Sequence, residues 1–249
     1  MKTEIIFMSL VIGLLGNFIS TSEANEPIRL LYNERPPYFL TASPGVVTGL
    51  TGTPASFAFQ QLGIPHIWEK IPSIRQMNIL QKNKGKVCLV GWFKNSAREK
   101  FSKYTKPIYR DKPAIGLALF SNINIESDLS LKDVLQNKKI SLLVKKGYSY
   151  GKYIDDLIRE TNPSRVAVSV ENLNMVHMLK VERADYIFMA EEEANGLIRK
   201  ANFSVDEFKF IRFSDMPAGN KRYILCSLSV EDSVIEKLNT WIEKNVVIQ

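Results

Sequence analysis

The sequence predicts an α/β fold built on mainly parallel sheets. Short apolar runs of strand length recur along the chain, and each gives way within a few residues to a stretch whose apolar positions have helical spacing. Proline, glycine and small polar residues punctuate the transitions, and 45% hydrophobic with 24% charged residues is an ordinary globular composition.

The first 24 residues carry a different signal. Lys2, the apolar run 5–19 and Ser22-Glu23-Ala24 have the charged, apolar and small-residue regions of a secretory signal peptide, so residues 1–24 are expected to be cleaved. The run is shorter than the roughly 20 apolar residues of a membrane span, no cysteine follows it for lipid attachment, and no later stretch is long enough to span. An exported, soluble protein is expected, with no transmembrane segment after cleavage. Residues 1–24 hold one lysine and two glutamates (net −1), so the chain's +7 becomes +8 without them. The lysines are scattered singly and in pairs, which excludes a nucleic-acid stripe and favours at most anionic solutes or surfaces.

The elements follow in order. Residues 27–33 form a first strand, Arg35-Pro36-Pro37-Tyr38 a rigid extended loop, and the stretch from Ser43 to Gly49 a hairpin. Thr53-Pro54 caps a helix with Phe57, Ala58, Gln61 and Leu62 as its stripe, ended by Gly63. A strand at 67–71, a helix capped by Ser73 and a strand at 87–90 ended by Gly91 complete two β-α units in series. Further strands are expected at 115–120, 140–144, 166–170, 185–189, 208–213 and 222–228. Helices are expected at 130–135, 152–160, 172–181, from 190 onward, and at 230–246 with Val234, Leu238, Trp241 and Ile242 as its apolar face.

Cys88 and Cys226 each lie in an apolar run. Export permits a disulfide, yet both positions read as buried strand residues, where a free cysteine behaves as a small hydrophobe. His66 and His177 stand alone, so no metal site is expected, and no cofactor motif is present.

Function is placed first in the stretch from Gly91 to Tyr109. A buried strand there runs into a polar loop carrying Arg98, and ligands of open α/β sheets sit beyond the carboxyl ends of strands, where a planar guanidinium can grip an anion. A second candidate is Lys145 to Gly151, a strand followed by Gly147 and Ser149 at the mouth of a helix, the arrangement that favours an anion. Glu191, Glu192 and Glu193 open another helix; they read as dipole complements, with Glu191 the one able to face a cleft.

Together, Gly91, Asn95-Ser96-Ala97-Arg98, Tyr104-Thr105-Lys106-Pro107-Ile108-Tyr109, Pro36-Pro37-Tyr38, Leu62-Gly63, Ser130 to Val134, Lys146 to Ser149 and Arg183-Ala184-Asp185-Tyr186 resemble the pattern of the family 3 extracellular solute-binding proteins, receptors of polar-amino-acid ABC importers. The resemblance covers nearly the whole mature chain. It implies a two-lobed type II periplasmic-binding-protein fold: lobe 1 from 26–112 plus 222–249, lobe 2 from 113–221, and hinge crossings near 109–114 and 218–222. It also implies a periplasmic monomer that binds a small carboxylate-bearing solute between the lobes, partners an ABC permease, and uses no cofactor.

Carried over residue by residue, Arg98 resembles the carboxylate-pairing arginine and Ser149, with the nearby Gly147, the second-lobe contribution. Asn33 and Tyr38 lie in the pocket-lining loop, and Trp92 and Phe93 form an apolar wall beside Gly91. The chain departs from the pattern at three places: Phe93 replaces a threonine, Gly49-Leu50-Thr51 replaces Gly-x-Asp, and Ala190 replaces the aspartate that pairs with a ligand ammonium, with Glu191 adjacent. An alternative is an exported enzyme on the same scaffold, resembling cyclohexadienyl dehydratases, with Glu191 or Glu34 as general acid or base. A ligand-sensing module for a membrane receptor is a third reading.

Overall fold

A computed structural model of the chain describes residues 26–248. The expected signal peptide, 1–24, lies outside them.

The first half opens with β1 (Ile28–Tyr32), the hairpin β2 (Leu40–Ser43) and β3 (Val46–Thr48), and α1 (Gly52–Gln61). It continues through β4 (His66–Lys70), α2 (Ser73–Lys82), β5 (Val87–Phe93), the short α3 (Ser96–Glu99) and β6 (Ser102–Arg110). A second series follows: β7 (Ala114–Leu119), α4 (Leu131–Gln136), β8 (Leu142–Lys145), α5 (Lys152–Thr161), β9 (Arg165–Val168), α6 (Asn172–Lys180), β10 (Tyr186–Ala190), α7 (Glu191–Lys200) and β11 (Phe208–Ile211). The chain then returns to the first sheet with β12 (Lys221–Ser227) and packs α8 (Asp232–Asn245) on it.

Two five-stranded sheets result, in the orders β4-β1-β5-β12-β6 and β11-β7-β10-β8-β9. The β-α units give the parallel pairs β1 with β4 and β5, and β8 with β9 and β10, the pairing that crossover connections produce. β12 is antiparallel to both its neighbours, and β7 to both of its own, because the chain enters each of these strands from the opposite lobe. Each sheet is covered on both faces. Leu30, Phe59, Ile224 and Leu238 lie in one core of the first lobe and Leu31, Leu80 and Leu89 in the other; Leu117, Val176 and Ile198, and Leu142, Ile154 and Phe213, do the same in the second lobe.

Several local readings are corrected. Pro36 to Tyr38 is a turn rather than an extended loop: the Pro36–Pro37 peptide is cis, and the nitrogens of Tyr38 and Phe39 both bond the Arg35 carbonyl, at 2.8 and 3.0 Å. α1 begins at Gly52 and buries Ala55, Ala58 and Phe59, leaving Phe57 51% exposed, because its packing face is turned by one residue from the expected stripe. Ser73 is the first residue of α2 instead of its cap, and its nitrogen and hydroxyl reach Glu171 of the other lobe at 3.2 and 3.1 Å. Gly91 does not end its strand. With φ at +77° it is a bulge, since Val90 pairs with Ile224 and Trp92 with Tyr223, and β5 runs on to Phe93.

Cys88 and Cys226 face each other across β5 and β12 and form a disulfide. The bridge closes a loop 138 residues in sequence separation, and such a constraint on the unfolded chain is worth about 2–4 kcal/mol.

Candidate functional site

The cleft lies where β5, the hinge segments and the carboxyl ends of β8 and β10 meet. Its wall includes Asn33, Arg35, Phe39, Gly91, Trp92, Phe93 and Arg98 from the first lobe, Asp111, Lys112, Asn220 and Arg222 from the crossings, and Tyr148, Ser149, Asn172, Met175, Phe188, Met189 and Ala190 from the second.

Arg98 is fixed by its own short helix. The Asn95 side chain caps α3 by accepting from the Arg98 nitrogen at 3.0 Å, and Ser102 Oγ donates to the Arg98 carbonyl at 2.5 Å. The side chain lies over the Trp92 ring, 4.8 Å from its centroid, and donates to the Phe93 carbonyl at 2.9 Å and the Gly147 carbonyl at 3.3 Å, one in each lobe. The residue is 6% exposed, and among the described residues no carboxylate lies within ion-pair distance of it. Burial pushes its pKa below the ordinary arginine value, with Tyr104 and Asp155 only partly compensating. A guanidinium charge is therefore held out of water with two carbonyl dipoles and a ring face as its company.

Arg222 is the opposite case. Its guanidinium donates to both Asp111 oxygens at 2.6 and 2.7 Å and to the Gly91 carbonyl at 2.9 Å, and it is sandwiched between the rings of Tyr38 and Phe93 at 4.0 and 4.7 Å. Desolvation alone would lower its pKa, but the Asp111 charge overrides this and raises it. Gly219 lets the second crossing press against this pair, since a Cβ there would sit 1.7 Å from the Asp111 carbonyl oxygen. Arg35 forms a third arrangement, pairing across the cleft with Glu193, which is fully buried and also accepts from Asn172 Nδ2 at 2.8 Å.

Of the residues singled out in the sequence, Asn33, Gly91, Trp92, Phe93, Arg98 and Ser149 line the cleft. Gly147 reaches it only through its carbonyl to Arg98. Tyr38 does not line it: the ring is buried behind the wall, its hydroxyl donates to Asp111 at 3.0 Å, and its pKa is raised by that burial. Glu191 does not line it either, because Ala190 closes β10 opposite Ala114 and the Glu191 carboxylate pairs with Arg212 and Lys112. The expected anion site at the start of α5 is filled by the chain itself: Asp155 accepts from the Tyr150 nitrogen at 2.8 Å and from Ser149 Oγ. Glu34 sits outside the cleft, bonded to Thr41 and Lys70. Burial opposes its ionisation, but these donors win and its pKa is lowered, the wrong direction for a general acid.

Arg35, Asp111, Asn172, Asn220 and Arg222 were not read as site residues: Arg35 was read as part of a loop, Asp111 and Asn220 as parts of the crossings, Asn172 as a helix start and Arg222 as a strand start. The partners of Arg35, Asp111, Asn220 and Arg222 lie 70 to 158 residues away and that of Asn172 lies 21 away, with no local motif to mark them.

Trp92 Nε1 donates to Gln76 at 3.2 Å, and its ring meets Tyr148 of the other lobe edge-on at 6.1 Å. With Ser73 to Glu171 and Tyr109 Oη to Glu192 at 3.1 Å, these contacts bring the lobes together around the cleft. Among the described residues no group of three or more potential metal ligands is present, and no helix is long and apolar enough to cross a membrane.

No family model matches the chain, and no curated protein sequence does. Solved structures do. An ancestral arginine-binding protein bound to arginine superposes with a TM-score of 0.68 at 16% identity, covering 88% of this chain and 91% of that one. The arginine-binding protein of T. maritima gives 0.67 at 14% over 88% and 89%, and the amino acid ABC transporter substrate-binding protein AbpA of Streptococcus pneumoniae, bound to L-arginine, 0.67 at 17% over 88% and 87%. The fold is the two-lobed periplasmic-binding-protein fold. These neighbours are binding proteins rather than enzymes, and at such identity the likeness speaks for architecture alone.

Proposed function

We propose that the protein captures a small carboxylate-bearing solute, an amino acid or a related acid, between its two lobes and delivers it to an ABC-type permease. The observation that carries this reading is Arg98, a buried cation on the cleft wall with no carboxylate of its own. A solute carboxylate would supply the missing charge and two acceptor oxygens in the geometry a guanidinium fork prefers. Trp92 and Phe93 form the wall for the rest of the solute, and Asn33, the Gly147 carbonyl and the Ser149 loop border it. Residues 26–112 with 222–249 act as one lobe and 113–221 as the other. Solute touching both favours the closed arrangement by its differential affinity for it.

Residues 1–24 direct export, and the mature protein works as a periplasmic monomer. The arginine bound in two architectural neighbours supports capture of an amino-acid-like solute without fixing which one.

The test is thermal unfolding of the mature protein against a panel of amino acids, organic acids and short peptides, repeated with Arg98→Ala. A true solute at about 100 times its Kd adds roughly 2.7 kcal/mol to native-state stability. That shift is expected to disappear in Arg98→Ala. No shift across the panel, or an equal shift in the variant, contradicts the assignment.

A further inference from the structure

The following refinement rests on Arg98 as the carboxylate anchor. We propose that the solute has no ammonium group, because Arg35 is a resident cation holding the counter-charge that an α-amino acid would need.

Carboxylates around the cleft are already engaged. Glu193 is fully buried between Arg35 and Asn172. Asp111, which lines the cavity, has both oxygens on Arg222 and accepts from Tyr38 as well. Glu191 is held by Arg212 and Lys112, and Asp155 by Ser149 and the Tyr150 nitrogen. Glu192 accepts from Tyr109 and the Lys112 nitrogen; its other oxygen is buried without a partner, but the residue does not line the cavity.

Charge on the wall has the same sense. Of Arg35, Arg98, Lys112 and Arg222, which line it with Asp111, Arg35 is paired with Glu193 and Arg222 with Asp111, while Arg98 has no carboxylate within ion-pair distance. An ammonium entering there would lose its hydration, face like charges, and find at the end of β10 only the methyl group of Ala190. To gain a counter-ion it would have to break the Arg35–Glu193 pair, leaving a buried guanidinium behind. A carboxylate without an ammonium gains Arg98 with none of these costs. Its remainder would meet Phe39, Trp92, Phe93, Met175, Phe188 and Met189, so the class is a small monocarboxylate with an apolar or aromatic body.

Matched pairs differing only in the amino group test this by calorimetric titration of the mature protein: 3-phenylpropionate with L-phenylalanine, 4-methylpentanoate with L-leucine, and 5-guanidinopentanoate with L-arginine. The deaminated acid is expected to bind about tenfold or more tightly within each pair that binds, the factor that a difference of 1.4 kcal/mol makes. An amino acid binding as tightly as its deaminated partner, or more tightly, overturns the inference while leaving carboxylate capture intact; no binding by either series overturns both.

Two variants give opposite signs. Arg35→Met releases Glu193 for an ammonium, so the acid-to-amino-acid affinity ratio should shrink. Glu193→Gln frees the Arg35 charge, so the ratio should grow. A ratio unchanged in whichever variant folds assigns the preference to something other than Arg35.

Discussion

Arg98 and Arg222 are both buried beside Phe93, yet they differ in the one respect that matters for a charge in a dry place. Arg222 meets Asp111 through two hydrogen bonds and lies between two aromatic rings, and its pKa is raised. Arg98 meets two carbonyls and one ring, and its pKa is lowered by burial. The contrast teaches that burial of an arginine says little until its anion is found. Where the chain supplies the anion, the guanidinium is scaffold. Where it does not, as at Arg98, the proposed solute carboxylate would supply it.

The comparison breaks most visibly at Asp111. Asp111→Asn leaves Arg222 buried without its counter-charge, and removing one partner of a buried pair costs about 3–5 kcal/mol, readable by urea unfolding. A cost below about 1 kcal/mol, typical of an exposed pair, would remove the distinction between the two arginines. Arg98→Met should behave in the other sense. Replacing an uncompensated buried cation with an apolar side chain should leave solute-free stability within about 1 kcal/mol of wild type, or raise it. A loss as large as that for Asp111→Asn would place Arg98 in the scaffold.

The smallest effect concerns an anion held by neutral donors. Asp185 accepts from the Ser141 nitrogen and hydroxyl at 2.7 Å and from Asn122 at 2.8 Å. Burial opposes its charge, but these donors prevail and its pKa is lowered. Its contribution is thus fully present above the ordinary aspartate pKa of about 3.9 and is lost as pH falls through the lower folded value. Asp185→Asn should flatten the acid limb of stability below about pH 4, by less than about 1 kcal/mol because the group is partly exposed. An unchanged acid limb would show that neutral donors do not favour this charge.

How much of this was legible depends on range along the chain. Strands and helices were readable because each rests on its own periodicity, as with Ile154, Leu157 and Ile158 on α5. The helix expected at 130–135 is held at its start by Ser130, whose side chain accepts from the Asp133 nitrogen, three residues on. Arg98 could be placed beyond a strand end because a strand end and the loop after it are local features, whereas Trp92 and Phe93 were placed by the family resemblance. Gly91 misled, since glycine's usual role as a strand breaker is here a bulge, visible only once β12 is laid alongside.

The sequence left the disulfide open and offered no sign of the Asp111–Arg222 and Arg35–Glu193 pairs, for one reason. Each joins residues more than 100 positions apart, whose meeting is set by how strands and lobes pair rather than by any neighbouring residue. Tyr38 shows the same limit: its hydroxyl donates to Asp111, 73 residues on, so the ring sits behind the cleft wall and not on it.

The central claim is that Arg98 receives the solute carboxylate while Arg222 does not. Arginine-selective nitrogen NMR on the mature protein, titrated with whichever acid protects it most against heat, tests this directly. The Arg98 guanidinium signals are expected to shift with saturation while those of Arg222, held by Asp111, stay in place. Movement of the Arg222 signals with Arg98 unaffected would contradict the claim.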